Sequence, residues 1–175
     1  MTHLAVSAIG ADRPGIVAAV TKVLVDRGCN LEDASMSILW GHFAMMLVVD
    51  APEGADAGGL EEEIAAATRP FGLVVVVRAI DEAGGQTGQG EEWTVSLYGA
   101  DRPGIVHRVS TALAAAGANI TDLTTRVIGD PGQPVYAMFL DVIAPTGSSL
   151  DVALAAVAED LGVSCTAQRA DADIL

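Results

Sequence analysis

Eight residues occur twice in this chain. Gly10-Ala11-Asp12-Arg13-Pro14-Gly15-Ile16-Val17 returns as Gly99-Ala100-Asp101-Arg102-Pro103-Gly104-Ile105-Val106, an offset of 89 residues (99 − 10). The same offset carries Gly28, Asn30 and Asp33 onto Gly117, Asn119 and Asp122. An internal duplication confines the fold to one unit of about 80 to 90 residues used twice.

Each copy opens with apolar residues at a period of two, Leu4, Val6 and Ala8 in one and Trp93, Val95 and Leu97 in the other. That period predicts a strand. The repeated Gly-Ala-Asp-Arg-Pro-Gly follows as a tight loop. A helix comes next, with Ile16, Val17, Val20, Val23 and Leu24 forming one buried stripe, and Ile105, Val106, Val109, Ala112 and Leu113 its twin. Pro14 and Pro103 are expected in the first helical turn, where a missing N–H costs nothing. Asp12 and Asp101 stand just ahead as candidate caps. Gly28 and Gly117 are expected to end the helices in the left-handed conformation.

Two further strands are predicted near 30–40 and 42–50, joined at Gly41, and near 119–128 and 133–143. The pairing of Phe43–Leu47 with Tyr136–Leu140 has an offset of 93 (136 − 43), so the second hairpin has gained four residues. Loop tips tolerate such insertions. A second helix (57–68 and 150–161) and a last strand (73–80 and 163–169) complete each copy. The order β-α-β-β-α-β predicts an α+β fold, a ferredoxin-like sandwich with an antiparallel sheet and both helices on one face. Domains are expected over 1–80 and 92–170, with a flexible acidic glycine-rich linker at 81–91 and a tail at 171–175. Open sheet edges are a hazard, so they are expected to pair across the domains or between chains, and a homodimer is expected.

The net charge of −14 repels phosphate backbones, and no basic reading helix offsets it, so direct nucleic-acid binding is not expected. No apolar run is long enough to span a bilayer and no signal-peptide pattern is present, which points to a cytoplasmic protein with no membrane partner. Cys29 and Cys165 make no ligand motif and read as reduced thiols. His3, His42 and His107 have no metal-ligand spacing, so neither metal nor cofactor is expected. Glu61-Glu62-Glu63 reads as a solvated helix face.

The repeated residues that packing does not require are Asp12, Arg13 and Asn30, with Asp101, Arg102 and Asn119. Asp12 follows the first strand and Asn30 starts the second, and these two points are expected at the same end of the sheet. Gly15 and Gly104 remove a Cβ beside the first N–H groups of a helix, which makes an anion site. A nearby Asp can pair with an ammonium, and an Asn can donate and accept. Together they read as a receptor for a zwitterion. The alternative is a turn with a helix cap, and Asn30 as a turn residue.

These residues resemble the ACT domain, a regulatory amino-acid-binding module of β-α-β-β-α-β topology. Its Asp-x-x-Gly-Ile/Leu loop is matched by Asp12–Ile16 and Asp101–Ile105. Its Gly-x-Asn-Ile/Leu is matched by Gly28–Leu31 and Gly117–Ile120. Two copies and little else resemble the glycine cleavage system transcriptional repressor family. The resemblance implies ligand binding at Asp12, Arg13, Gly15, Ile16 and Asn30, and at Asp101, Arg102, Gly104, Ile105 and Asn119, often against a neighbouring ACT domain. It implies side-by-side sheets and an output through a protein partner rather than DNA. Glycine or serine is the expected ligand.

Three functions remain distinct. A non-catalytic amino-acid sensor would regulate a protein partner. An enzyme would need a nucleophile–base pair, a metal cluster or a phosphate loop, and none is recognisable. A regulatory or structural subunit would dimerise with, or control, an amino-acid metabolic enzyme.

Overall fold

The computed structural model describes residues 2–80, 90–129, 132 and 134–170. The chain divides into two compact units, Met1–Gly85 and Gln86–Leu175. The expected linker segment 81–89 and the tail 171–175 lie outside the described residues. Glu91, expected in the linker, is the first residue of a strand and pairs with Ala144.

The first unit runs β1 (Thr2–Ala11), α1 (Ile16–Asp26), β2 (Asn30–Leu39), β3 (His42–Ala51), α2 (Ala57–Thr68), a 3₁₀ turn (Arg69–Phe71) and β4 (Val74–Ala79). The second runs β5 (Glu91–Gly99), α3 (Ile105–Ala115), β6 (Asn119–Ile128), β7 (Val135–Ala144), α4 (Leu150–Leu161) and β8 (Ser164–Arg169). Each forms one four-stranded antiparallel sheet, in the orders β2-β3-β1-β4 and β6-β7-β5-β8. Both are ferredoxin-like α+β units.

Alternation along the strands builds each core. In the first unit Leu4, Val6 and Ala8 of β1 and Phe43, Met45, Leu47 and Val49 of β3 are buried under Ile16, Val20 and Leu24 of α1 and Leu60 and Ile64 of α2. The stripe on α1 is narrower than its sequence suggests: Val17 is exposed and Val23 only half-buried. Only the i, i+4, i+8 row is fully buried, and Ile105, Val109 and Leu113 repeat it on α3. Every residue of β2 is exposed, so this outer strand extends past the helix layer.

The two-residue turn Trp40-Gly41 has φ of 53° and 76°, the pattern of a type I′ hairpin. In the second unit the same hairpin spans 129–134, four residues longer, of which 130, 131 and 133 are outside the described residues. A register shift follows Leu31 in β2 and Ile120 in β6, so the duplication has kept the bulge as well as the strands.

Candidate functional site

Two local devices shape the repeated loop. Ala11 ends β1, and the Asp12 N–H donates to the Gly41 carbonyl at 2.9 Å, which ties the loop to the β2–β3 turn. Gly15 then sits at φ 98°, as Gly104 does at φ 92°, and each is the N-cap of its helix. Pro14 and Pro103 therefore precede the helices instead of occupying their first turn. The left-handed residue between them and the helix turns the chain into the helix axis.

The aspartates do not cap. Among the described residues no side chain accepts a hydrogen bond from the first turn of α1 or α3. Asp56 shows the contrast: its carboxylate accepts from Gly58 and Gly59 at the start of α2. Asp12 and Asp101 are exposed, and among the described residues neither carboxylate has a hydrogen-bond or ion-pair partner. Each loop thus offers uncapped N–H donors at the positive end of a helix dipole, with an unpaired carboxylate close by in sequence. Ile16 and Ile105 are buried and anchor the first turn.

The copies differ in detail. Arg102 Nη1 donates to the Leu161 carbonyl at 3.3 Å, closing the end of α4, whereas Arg13 makes no such bond among the described residues. A Cβ on Gly15 would lie 3.5 Å from the Phe71 ring, so that ring flanks the first loop, while a Cβ on Gly104 would meet nothing within 4 Å among the described residues. Phe71 lies in the 3₁₀ turn, which no sequence period announces.

Asn30 and Asn119 correct the sequence reading. β1 and β2 both run antiparallel to β3, and so run parallel to each other. Ala11 pairs with His42 at one end of β3, and Asn30 pairs with Asp50 at the other. Those positions are about 27 Å apart at roughly 3.4 Å per residue. The crossover helix returns the chain to the starting end, so Asp12 and Asn30 occupy opposite ends of one sheet. Asn30 Nδ2 donates to Glu32 at 2.7 Å. In the second unit Asn119 pairs with Ile143, again at the far end from Asp101.

A groove on the open face of the first sheet, a cleft beside Cys29 and Asp56, and a cleft beside Trp93 and Asp141 include none of residues 12–16 or 101–105. Burial raises the Cys29 and Cys165 thiols above their ordinary value, which disfavours the thiolate form. Among the described residues no group of three His, Cys, Asp or Glu is placed to hold a metal, and no helix is long and apolar enough to cross a membrane.

The paired βαββαβ units and their repeated Asp-x-x-Gly-Ile loops define a tandem ACT-domain protein. Two ACT-domain models match, one over residues 2–78 and the other over 93–160, and the chain belongs to the ACT-domain family. A UPF0237 protein of Methanopyrus kandleri is 43% identical over 82 residues, which are 46% of this chain and 91% of that protein. The glycine cleavage system transcriptional repressor of Escherichia coli K12 is 24% identical over 86% of this chain and 78% of its own length. A crystal structure of an unknown protein from Galdieria sulphuraria superposes with a TM-score of 0.82 at 27% identity, covering 97% of this chain and 99% of that one.

Proposed function

We propose that this protein is a non-catalytic regulator that binds a small amino acid and acts through a protein partner. The repeated loop carries the reading: a left-handed glycine, an uncapped helix N-terminus and an unpaired aspartate, built twice. Backbone N–H groups and the dipole would receive the carboxylate, and Asp12 or Asp101 the ammonium. Because each loop is exposed, a second wall from a neighbouring ACT domain would enclose the ligand. Asn30 and Asn119, at the far ends of their sheets, are assigned no contact with a ligand held by the loop of their own domain.

The name of the Escherichia coli relative favours glycine as ligand and transcriptional control of glycine cleavage as the output, and serine is the second small zwitterion to test. A chain with a net charge of −14 is poorly suited to touch DNA itself, which favours a protein effector. A cytoplasmic location fits that role.

Calorimetric titration of the full chain with the twenty amino acids tests the reading. One small amino acid is expected to bind at millimolar concentration or tighter. Asp12→Ala or Asp101→Ala is expected to weaken binding by about ten- to a hundredfold, the loss of one charge-assisted contact. No binding at millimolar concentration, or both variants binding like the parent, would reject it.

A further inference from the structure

We infer that the open face of the first sheet is the contact surface for a second copy of this chain, packed face to face about a two-fold axis parallel to the strands. This does not depend on the amino-acid reading. The face lies opposite the helices and bears a groove of about 380 Å³. Ile9, Met46 and Val74 stand on it at 54%, 57% and 63% exposure. Monomeric proteins rarely leave a contiguous apolar surface of this kind open.

The register makes the face complementary to itself. Read across the sheet from β2 to β4, one row is Ser35, Met46, Ser7 and Val76. The next is Ser37, Ala44, Ile9 and Val74. A two-fold axis along the strands reverses each row over itself. Met46 then meets Ser7 of the other copy, Ile9 meets Ala44, and Val76 and Val74 meet Ser35 and Ser37. Every large side chain is set against a small one, which is what an isologous contact requires.

Charge follows the same symmetry. The row beyond Ser35 is Asp33, Val48, Ala5 and Arg78. Reversed over itself it sets Asp33 against Arg78 of the other copy, twice per dimer. Two chains of charge −14 repel one another, and the two central rows of this face carry no charge. The equivalent face of the second sheet suits this role less well. It sets Asp122 beside Asp141 in one row, and covering it with the first face would leave Asp141 over Ala5 without a cation.

Four strands about 4.8 Å apart and six to ten residues long present on the order of 500 Å². Two such faces bury about 1,000 Å² in total, the lower range for a specific interface, and fit a dimer of micromolar affinity.

Sedimentation velocity on the full chain from 1 to 200 µM, with circular dichroism to confirm folding, tests the inference. The parent is expected to shift from 17.8 kDa toward twice that mass as concentration rises. Ile9→Glu, and Val74→Lys on an outer strand should the central one not tolerate charge, are expected to raise the dissociation constant at least tenfold. Asp33→Arg and Arg78→Asp are each expected to weaken the dimer, and the two combined to restore it. Phe139→Glu, on the open face of the second sheet, is expected to leave it unchanged. A parent that stays monomeric at 200 µM, an Ile9→Glu or Val74→Lys variant that dimerises like the parent, a double variant no better than the singles, or a dimer lost in Phe139→Glu would each overturn it.

Discussion

The carboxylate of Glu61 accepts a hydrogen bond from the backbone N–H of Val77 at 2.8 Å. Val77 lies on β4, an outer strand that among the described residues pairs only with β1. A helix side chain thus occupies a donor that would otherwise stand open at the sheet edge, one way in which proteins keep an edge from recruiting foreign strands.

Glu61→Ala is therefore expected to lower stability by about 1–2 kcal/mol, the cost of leaving a partly buried donor unmet. Glu61→Gln, which keeps an acceptor, is expected to lose less. Thermal unfolding of the three proteins checks this, together with light scattering of the unheated samples, since the bared edge is expected to raise association. An alanine variant melting with the parent would show the bond to be without weight.

Asp12→Ala is expected to leave stability within about 0.5 kcal/mol of the parent, because that carboxylate caps nothing. Asp56→Ala, which removes acceptors from Gly58 and Gly59, is expected to cost about 1 kcal/mol. Denaturant titration of the two variants side by side separates a ligand-facing aspartate from a structural one. An Asp12 variant as unstable as the Asp56 variant would restore the capping reading.

Gly15→Ala is expected to destabilise by about 1–2 kcal/mol, since a side chain at φ 98° is strained even where space allows it. The nearest atom of Phe71 would be at an ordinary contact distance of 3.5 Å, so the cost comes from the backbone and not from a clash. Gly104→Ala, with open space around it, is expected to cost about the same. A pair of equal downward shifts in melting temperature is the signature, and unequal shifts would point to packing instead.

Arg27 binds both oxygens of Glu63, joining α1 to α2. Its hydrogen bonds hold the Glu63 carboxyl below its ordinary value of 4.5. A carboxyl lowered in the folded state contributes stability above its unfolded value and loses it as pH falls through the folded one. The difference in denaturation midpoint between the parent and Arg27→Met is therefore expected to be largest near pH 7 and to shrink toward pH 3. Both side chains are about half exposed, so the difference is small and falls with added salt. A difference that ignores pH would belong to the apolar stem of Arg27.

Much of this molecule was legible without its tertiary structure, because local rules wrote it. The duplication, the alternation of β1 and β5, the glycines closing α1 and α3 and the four-residue insertion all depend on neighbours in sequence. The closure at Gly28 illustrates this: the Gly28 and Cys29 N–H groups return to Val25 and Leu24, a motif that needs only a left-handed residue after the helix.

What the three-dimensional structure alone decided are relations between distant segments. Asp12 and Asn30 lie within one repeated motif, yet strand direction places them at opposite ends of the sheet. Glu61 and Glu63 read as solvated helix positions, but one reaches β4 and the other α1, sixteen and thirty-six residues away. The left-handed Gly15 removed Pro14 from the helix and Asp12 from capping it. Period and composition report which face a residue turns to, whereas the group it meets there is set by how the sheet orders its strands and how the helices lie across them.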